Sequence, residues 1–170
     1  LVRDVRHRVI AHGAKEPVFG VKIGDMKPVL KQIKGDQDLA LKLYATGNGD
    51  AMYLAGMAAD GRKMTRAQLD AWAKAATWRM ISGTTVPWVA SEHPDGFDIA
   101  MKWIDSPKEH IAVAGWSTLS AIIATVPDDK LPIKQVGSLL DRVVNTIKAA
   151  PNEVRYVMNS FLISCGTYVA

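Results

Sequence analysis

Trp78 and Arg79 stand side by side at the head of a helical segment. An electron-rich ring next to a permanent positive charge suits the wall of a ligand groove. The competing reading is a core tryptophan, since large aromatic rings on helices usually pack inward. Directly downstream, Ser82, Gly83, Thr84 and Thr85 form a run of small polar residues that either faces such a groove or lets two helices approach closely. Asn159 lies among apolar neighbours in the last helical segment. A buried amide needs partners, so it either ties two helices together or faces the groove; polar Arg155 and Ser160 nearby favour the groove. Trp72, Trp88, Trp103 and Trp116 occupy apolar faces and are expected in the core.

Several chemistries find no support. His7, His12, His93 and His110 lack metal-ligand spacing and Cys165 has no partner in register, so neither a zinc site nor any other metal site is expected. The chain contains no phosphate-binding Walker loop, glycine-rich dinucleotide turn or Gly-x-Ser-x-Gly elbow. No nucleophile–base–acid set can be assembled, and no cofactor is expected.

The elements that must position these residues are helices. A basic opening segment, Leu1 to His12, ends at Gly13, and Pro17 to Ile23 reads as an extended connection, so an arm of about residues 1–24 precedes the helical array. Asp25 is expected to cap one helix, with Pro28 tolerated in its first turn, and Asp36 the next. Ala51 to Ala59 is small and apolar almost all round, which predicts burial. Thr65–Gln68 and Ser106–Glu109 have the form of capping boxes. Thr77 is expected to cap the helix that carries Trp78, with Pro87 as a kink near its end. Pro127, Pro132 and Pro151 punctuate the rest, and Asn152 is expected to cap the final helix. Short connections between consecutive helices suit a degenerate repeat array better than a four-helix bundle. The expected fold is therefore all-α, an α-α superhelix of helix pairs forming a single repeat domain over residues 1–170, with a globin-like packing as the alternative.

Apolar residues make up 48% and charged residues 22%, a balance that argues against disorder. The net charge is +4, a mildly basic surface that permits a polyanionic partner without requiring one. No apolar run is long enough to span a bilayer, so no membrane partner is expected; the longest, Ile111 to Val126, is interrupted by Gly115, Ser117, Thr118 and Ser120. The lone cysteine favours a reducing compartment, here the cytoplasm. Since the chain opens at Leu1 and stops at Ala170 with an apolar helix still running, it is expected to be a piece of a longer polypeptide.

Two stretches resemble a known family. One is Phe19-Gly20-Val21-Lys22-Ile23-Gly24-Asp25-Met26, followed by Leu39 to Tyr44, the Gly47–Asp50 turn and Tyr53 to Asp60; the other runs from Lys63-Met64-Thr65 through Trp72-Ala73 to Thr77-Trp78. Together they resemble the AlkD-type DNA alkylation repair proteins, with the likeness continuing from about Phe19 to the end. The resemblance implies a HEAT-like repeat whose concave, positively charged face grips double-stranded DNA, alkylated or branched, in a nucleoid-associated setting. Active members excise N3- and N7-alkylated purines, a reaction eased by a carboxylate and aromatic faces beside a cationic sugar.

The resemblance also implies where the site residues fall. The family places a catalytic aspartate one helical turn after a tryptophan. Trp78 matches the tryptophan, and the aspartate position falls on Ser82, so these two are the candidate catalytic positions. The family arginine maps to the Lys108-Glu109-His110 neighbourhood, and a second tryptophan falls near Ser160 or Phe161. The implied DNA contacts are Lys22, Trp78, Arg79, Lys108, His110, Arg155 and Asn159, with Arg3, Arg6 and Arg8 as further cations expected on the same face. The Met158-Asn159-x-Phe161-x-Ile163 pattern resembles a variant branch of the family lacking the usual aspartate, for which weak or absent excision is expected. The alternative function is a catalytically silent helical scaffold that binds DNA structures or a protein partner.

Overall fold

The computed structural model describes residues 2–169, and side chains from Val5 onward. Arg3, one of the expected groove cations, therefore lies with its side chain outside the described residues. Among the described residues ten α-helices follow one another: α1 (Val2–Ala11), α2 (Ile23–Ile33), α3 (Gln37–Ala45), α4 (Gly49–Ala58), α5 (Arg66–Ala75), α6 (Val86–Ser91), α7 (Gly96–Trp103), α8 (Glu109–Thr125), α9 (Ile133–Thr146) and α10 (Asn152–Tyr168). No strand occurs among the described residues. Helices α4, α6, α8 and α10 pack successively on one another, while α3 and α7 back onto α4 and α8. Two apolar cores result. The first is built around Leu69, Trp72, Ile81 and Val89, the second around Trp116, Leu119, Leu139 and Phe161. Helix pairs that bury their apolar faces mainly against neighbouring pairs are the physical basis of a HEAT-like α-α superhelix.

Helix starts show which local signals held. Thr65 and Gln68 form the capping box, with reciprocal bonds of 3.2 and 2.8 Å. Asp36 caps α3 by accepting the Leu39 N–H at 2.9 Å. The second expected box does not form. Ser106 Oγ accepts the Lys108 N–H instead, which closes a turn and delays the start of α8 to Glu109. Asp25 and Asn152 sit inside the first turns of α2 and α10 rather than capping them.

The arm is fastened by a carboxylate. Asp50, in the first turn of α4, accepts the N–H groups of Phe19, Gly20 and Val21 at 2.6, 3.0 and 2.9 Å. Gly20 has φ +79°, and a Cβ there would lie 2.5 Å from the Arg6 backbone nitrogen. A side chain would therefore both strain this backbone and push α1 away. Arg6 belongs to the same fastening: its Nε donates to the Val18 carbonyl at 3.0 Å, and its guanidinium pairs with Glu16.

Candidate nucleic-acid interface

Trp78 lies immediately before the helical turns that lead into α6. Its indole N–H donates to the His12 carbonyl at 3.2 Å, which ties the ring to the end of α1. The chain then turns helical at 79 and widens into a π-helical turn over Ile81–Thr85 before α6. Pro87 gives the reason: its ring excludes the Gly83 carbonyl and supplies no N–H in return, and a widened turn relieves both problems. The expected kink near the end of the helix is thus a π turn just before the proline.

This turn divides the small polar run in two. Ser82 and Thr85 point inward, at 2% and 0% exposure. Thr85 packs so closely on α4 that a Cβ at Gly56 would come within 2.3 Å of its methyl group. The Ser82 hydroxyl reaches only the Trp78 carbonyl, at 3.4 Å. Gly83 and Thr84 instead line an open trough of about 570 Å³ between α1, the π turn, α8 and α10. Both readings of the run therefore apply, each to half of it. The extra residue in the turn also rotates the register beyond it. Trp88, expected in the core, is 40% exposed, whereas Trp72, Trp103 and Trp116 are buried as expected.

The trough has a floor of small hydroxyls from Thr84, Ser117, Ser120 and Ser160, and aromatic walls from Trp78 and Tyr156. Arg8, His12 and Arg79 add cationic and polar groups to the lining, and Val9, Met80 and Val157 add apolar ones. Arg79 is held in place: its guanidinium lies 4.2 Å over the Tyr156 ring. Its Nε is 2.7 Å from Glu153 Oε2, an ion pair set off the line of a good hydrogen bond. Among the described residues no aspartate or glutamate lines the trough. No group of described residues could hold a metal ion, and no described helix is long and apolar enough to cross a membrane.

The other expected contacts disperse. Lys22 borders an adjoining hollow that also reaches Trp78 and Arg8. Lys108 is exposed at the start of α8, and the His110 ring contacts the Lys74 carbonyl at 3.2 Å, away from the trough lining. Arg155 turns back onto the carbonyls of Lys148 and Ala150 at 3.4 and 3.2 Å, closing the α9–α10 connection. Asn159 is exposed and outside the trough lining, so it is not the buried amide its neighbours suggest. One helical step places Ser160 in the trough, while Phe161 is fully buried with its ring 5.4 Å from Trp116. Sequence reasoning missed Tyr156, Ser117 and Ser120 as lining residues. Their spacing on α8 and α10 was a visible signal for the hydroxyls, but only the neighbouring helices show which face stays open.

Comparison with known proteins agrees with this architecture. Lin0241 of Listeria innocua and Lmo0209 of Listeria monocytogenes are each 31% identical over 163 residues, covering 92% of this chain and 69% of the relative. A solved structure from a protein family related to the HEAT-like repeat DNA glycosylases, with affinity for branched DNA structures, superposes with a TM-score of 0.92. It is 38% identical and covers 98% of this chain and 71% of its own. The family model described as DNA alkylation repair enzyme matches residues 5–169, which takes in every residue that lines the trough, and on that match the chain belongs to the DNA alkylation repair family.

Proposed function

We propose that this chain binds branched double-stranded DNA through the trough and does so without efficient excision of alkylated purines. The observation that carries the reading is the trough's composition: small hydroxyls, two aromatic rings, two arginines and no carboxylate in the lining. Small side chains allow a sugar–phosphate backbone to approach, and the Thr84 and Ser117 hydroxyls, with Arg79 once it parts from Glu153, can donate to phosphate oxygens, while the Ser120 and Ser160 hydroxyls already donate to the Trp116 and Tyr156 carbonyls. The affinity of the structural relative for branched DNA supports the choice of substrate. Excision of N3- or N7-alkylated purines needs negative charge beside a developing sugar cation. Losing one well-placed electrostatic group from a preorganised site costs on the order of 3–4 kcal/mol, two to three decades in rate. Trp78 remains available to face the nucleic acid, and cytoplasmic, nucleoid-associated action follows from a DNA partner.

The test is an electrophoretic shift series on four-way, three-way and linear duplexes over a range of salt, run beside release of 7-methylguanine from methylated duplex. Tighter binding to branched forms with steep salt dependence and little base release is the expected outcome. Robust base release, or binding indifferent to salt, would refute the reading. Salt-indifferent behaviour would instead favour a protein partner for the same face.

A further inference from the structure

A second hollow of about 430 Å³, between α1, the start of α2 and α4, adjoins the trough and shares Arg8, Val9, Trp78 and Met80 with it. Its lining is of a different kind. Where the trough offers hydroxyls, the hollow offers the buried side chains of Met26 and Tyr53, with the partly exposed Val21 and Ile23 at its mouth. Lys22 borders it, and its ammonium makes no ion pair with a described residue. Asp50 also contributes to the lining, with its oxygens engaged by three backbone N–H groups of the arm.

Resting on the branched-DNA reading, we propose that this hollow receives one unpaired nucleobase from the branch point, with Lys22 on the adjoining phosphate. A branch point is where bases lose their pairing partners, so flat apolar faces become available there. A site for such a group needs an apolar and aromatic lining next to a cation, because the base stacks while its backbone stays charged. The hollow meets that description and shares Trp78 and three neighbouring residues with the trough, so a base can leave a duplex whose backbone lies along the trough without its strand leaving the protein. Its volume lies within the range of roughly 300–1,000 Å³ found for small-molecule sites, which suits one nucleoside-sized group.

The experiment uses a three-way junction carrying 2-aminopurine as an unpaired base at the branch, with a distal dye for anisotropy, beside a fully paired junction. Wild type should bind the unpaired junction more tightly and change the 2-aminopurine emission at least twofold on saturation. Val21→Phe/Ile23→Phe fills the hollow from positions outside the trough. It should return the emission to its free value and weaken binding of the unpaired junction roughly tenfold, the share of one stacked base. Lys22→Gln should flatten the salt slope for the unpaired junction alone by about 0.9. Equal wild-type affinity for both junctions, or an emission change that persists in the filled variant, overturns the proposal. Failure of either junction to bind at all refutes the branched-DNA reading instead.

Discussion

Glu153→Gln isolates the electrostatic design of the trough. In the folded protein Glu153 sits 2.7 Å from Arg79, and the two side chains are 39% and 48% exposed. An ion pair that open to solvent contributes only about 0.2–1 kcal/mol to stability, so the substitution should leave the unfolding midpoint almost unchanged. Its effect on DNA binding is larger. Arg79 lines the trough and its charge is matched by Glu153; once released, the guanidinium can neutralise a phosphate. Each phosphate neutralised adds about 0.9 to the slope of log affinity against log salt. Over a fourfold rise in salt, from about 50 to about 200 mM, that increment alone is an extra affinity loss of about 3.5-fold. The assay is anisotropy of a labelled four-way junction across a salt series for wild type, Glu153→Gln, Arg79→Gln and the double variant. Glu153→Gln should bind more tightly at low salt with the steeper slope, and Arg79→Gln should abolish the difference. A wild-type slope in Glu153→Gln, or a gain that survives in the Arg79→Gln background, would refute the assignment of Arg79 as a masked phosphate contact.

Further outcomes are expected elsewhere in the molecule. Asp50→Ala removes the acceptor of the Phe19, Gly20 and Val21 N–H groups, and should cost about 2–3 kcal/mol in urea unfolding while those amides lose protection from hydrogen exchange. Ser82→Asp would bury a carboxylate at a position 2% exposed, and should destabilise the fold by about 3 kcal/mol or more with no gain in base release. Thr84→Asp, which faces the trough, is the substitution expected to introduce a carboxylate beside bound DNA, and release of 7-methylguanine measures it. At Asp70, burial raises the carboxyl pKa, but bonds from Lys102 and the Trp103 indole outweigh it and hold the value below 3.8. A depressed native pKa stabilises the fold above the unfolded value and is lost as pH falls through the native one. Asp70→Asn should therefore lower stability at neutral pH and show a weaker further decline below about pH 3.8 than wild type, as read by urea unfolding across pH.

Much of this protein was legible from short-range pattern. The all-helical superhelix, the Thr65 and Asp36 caps and the burial of Ala51 to Ala59 each depend on residues within a turn or two of one another. Trp78 also lies along the trough. Helical periodicity and capping chemistry act locally, so the residues alone determine them. What the tertiary structure decided was direction. Ser82 and Gly83 are adjacent in sequence, yet one is sealed against the core and the other opens to the trough, because Pro87 forces a π turn that no periodicity of ideal helices anticipates. Arg6, Arg79 and Arg155 are equally basic in sequence, and only folding commits the first to Glu16 and Val18, the second to Glu153 and Tyr156, and the third to the carbonyls of the α9–α10 connection. Charge is a property of the residue. Whether that charge faces a partner or is matched within the fold depends on groups brought close from distant parts of the chain, and only the packed helices set those distances.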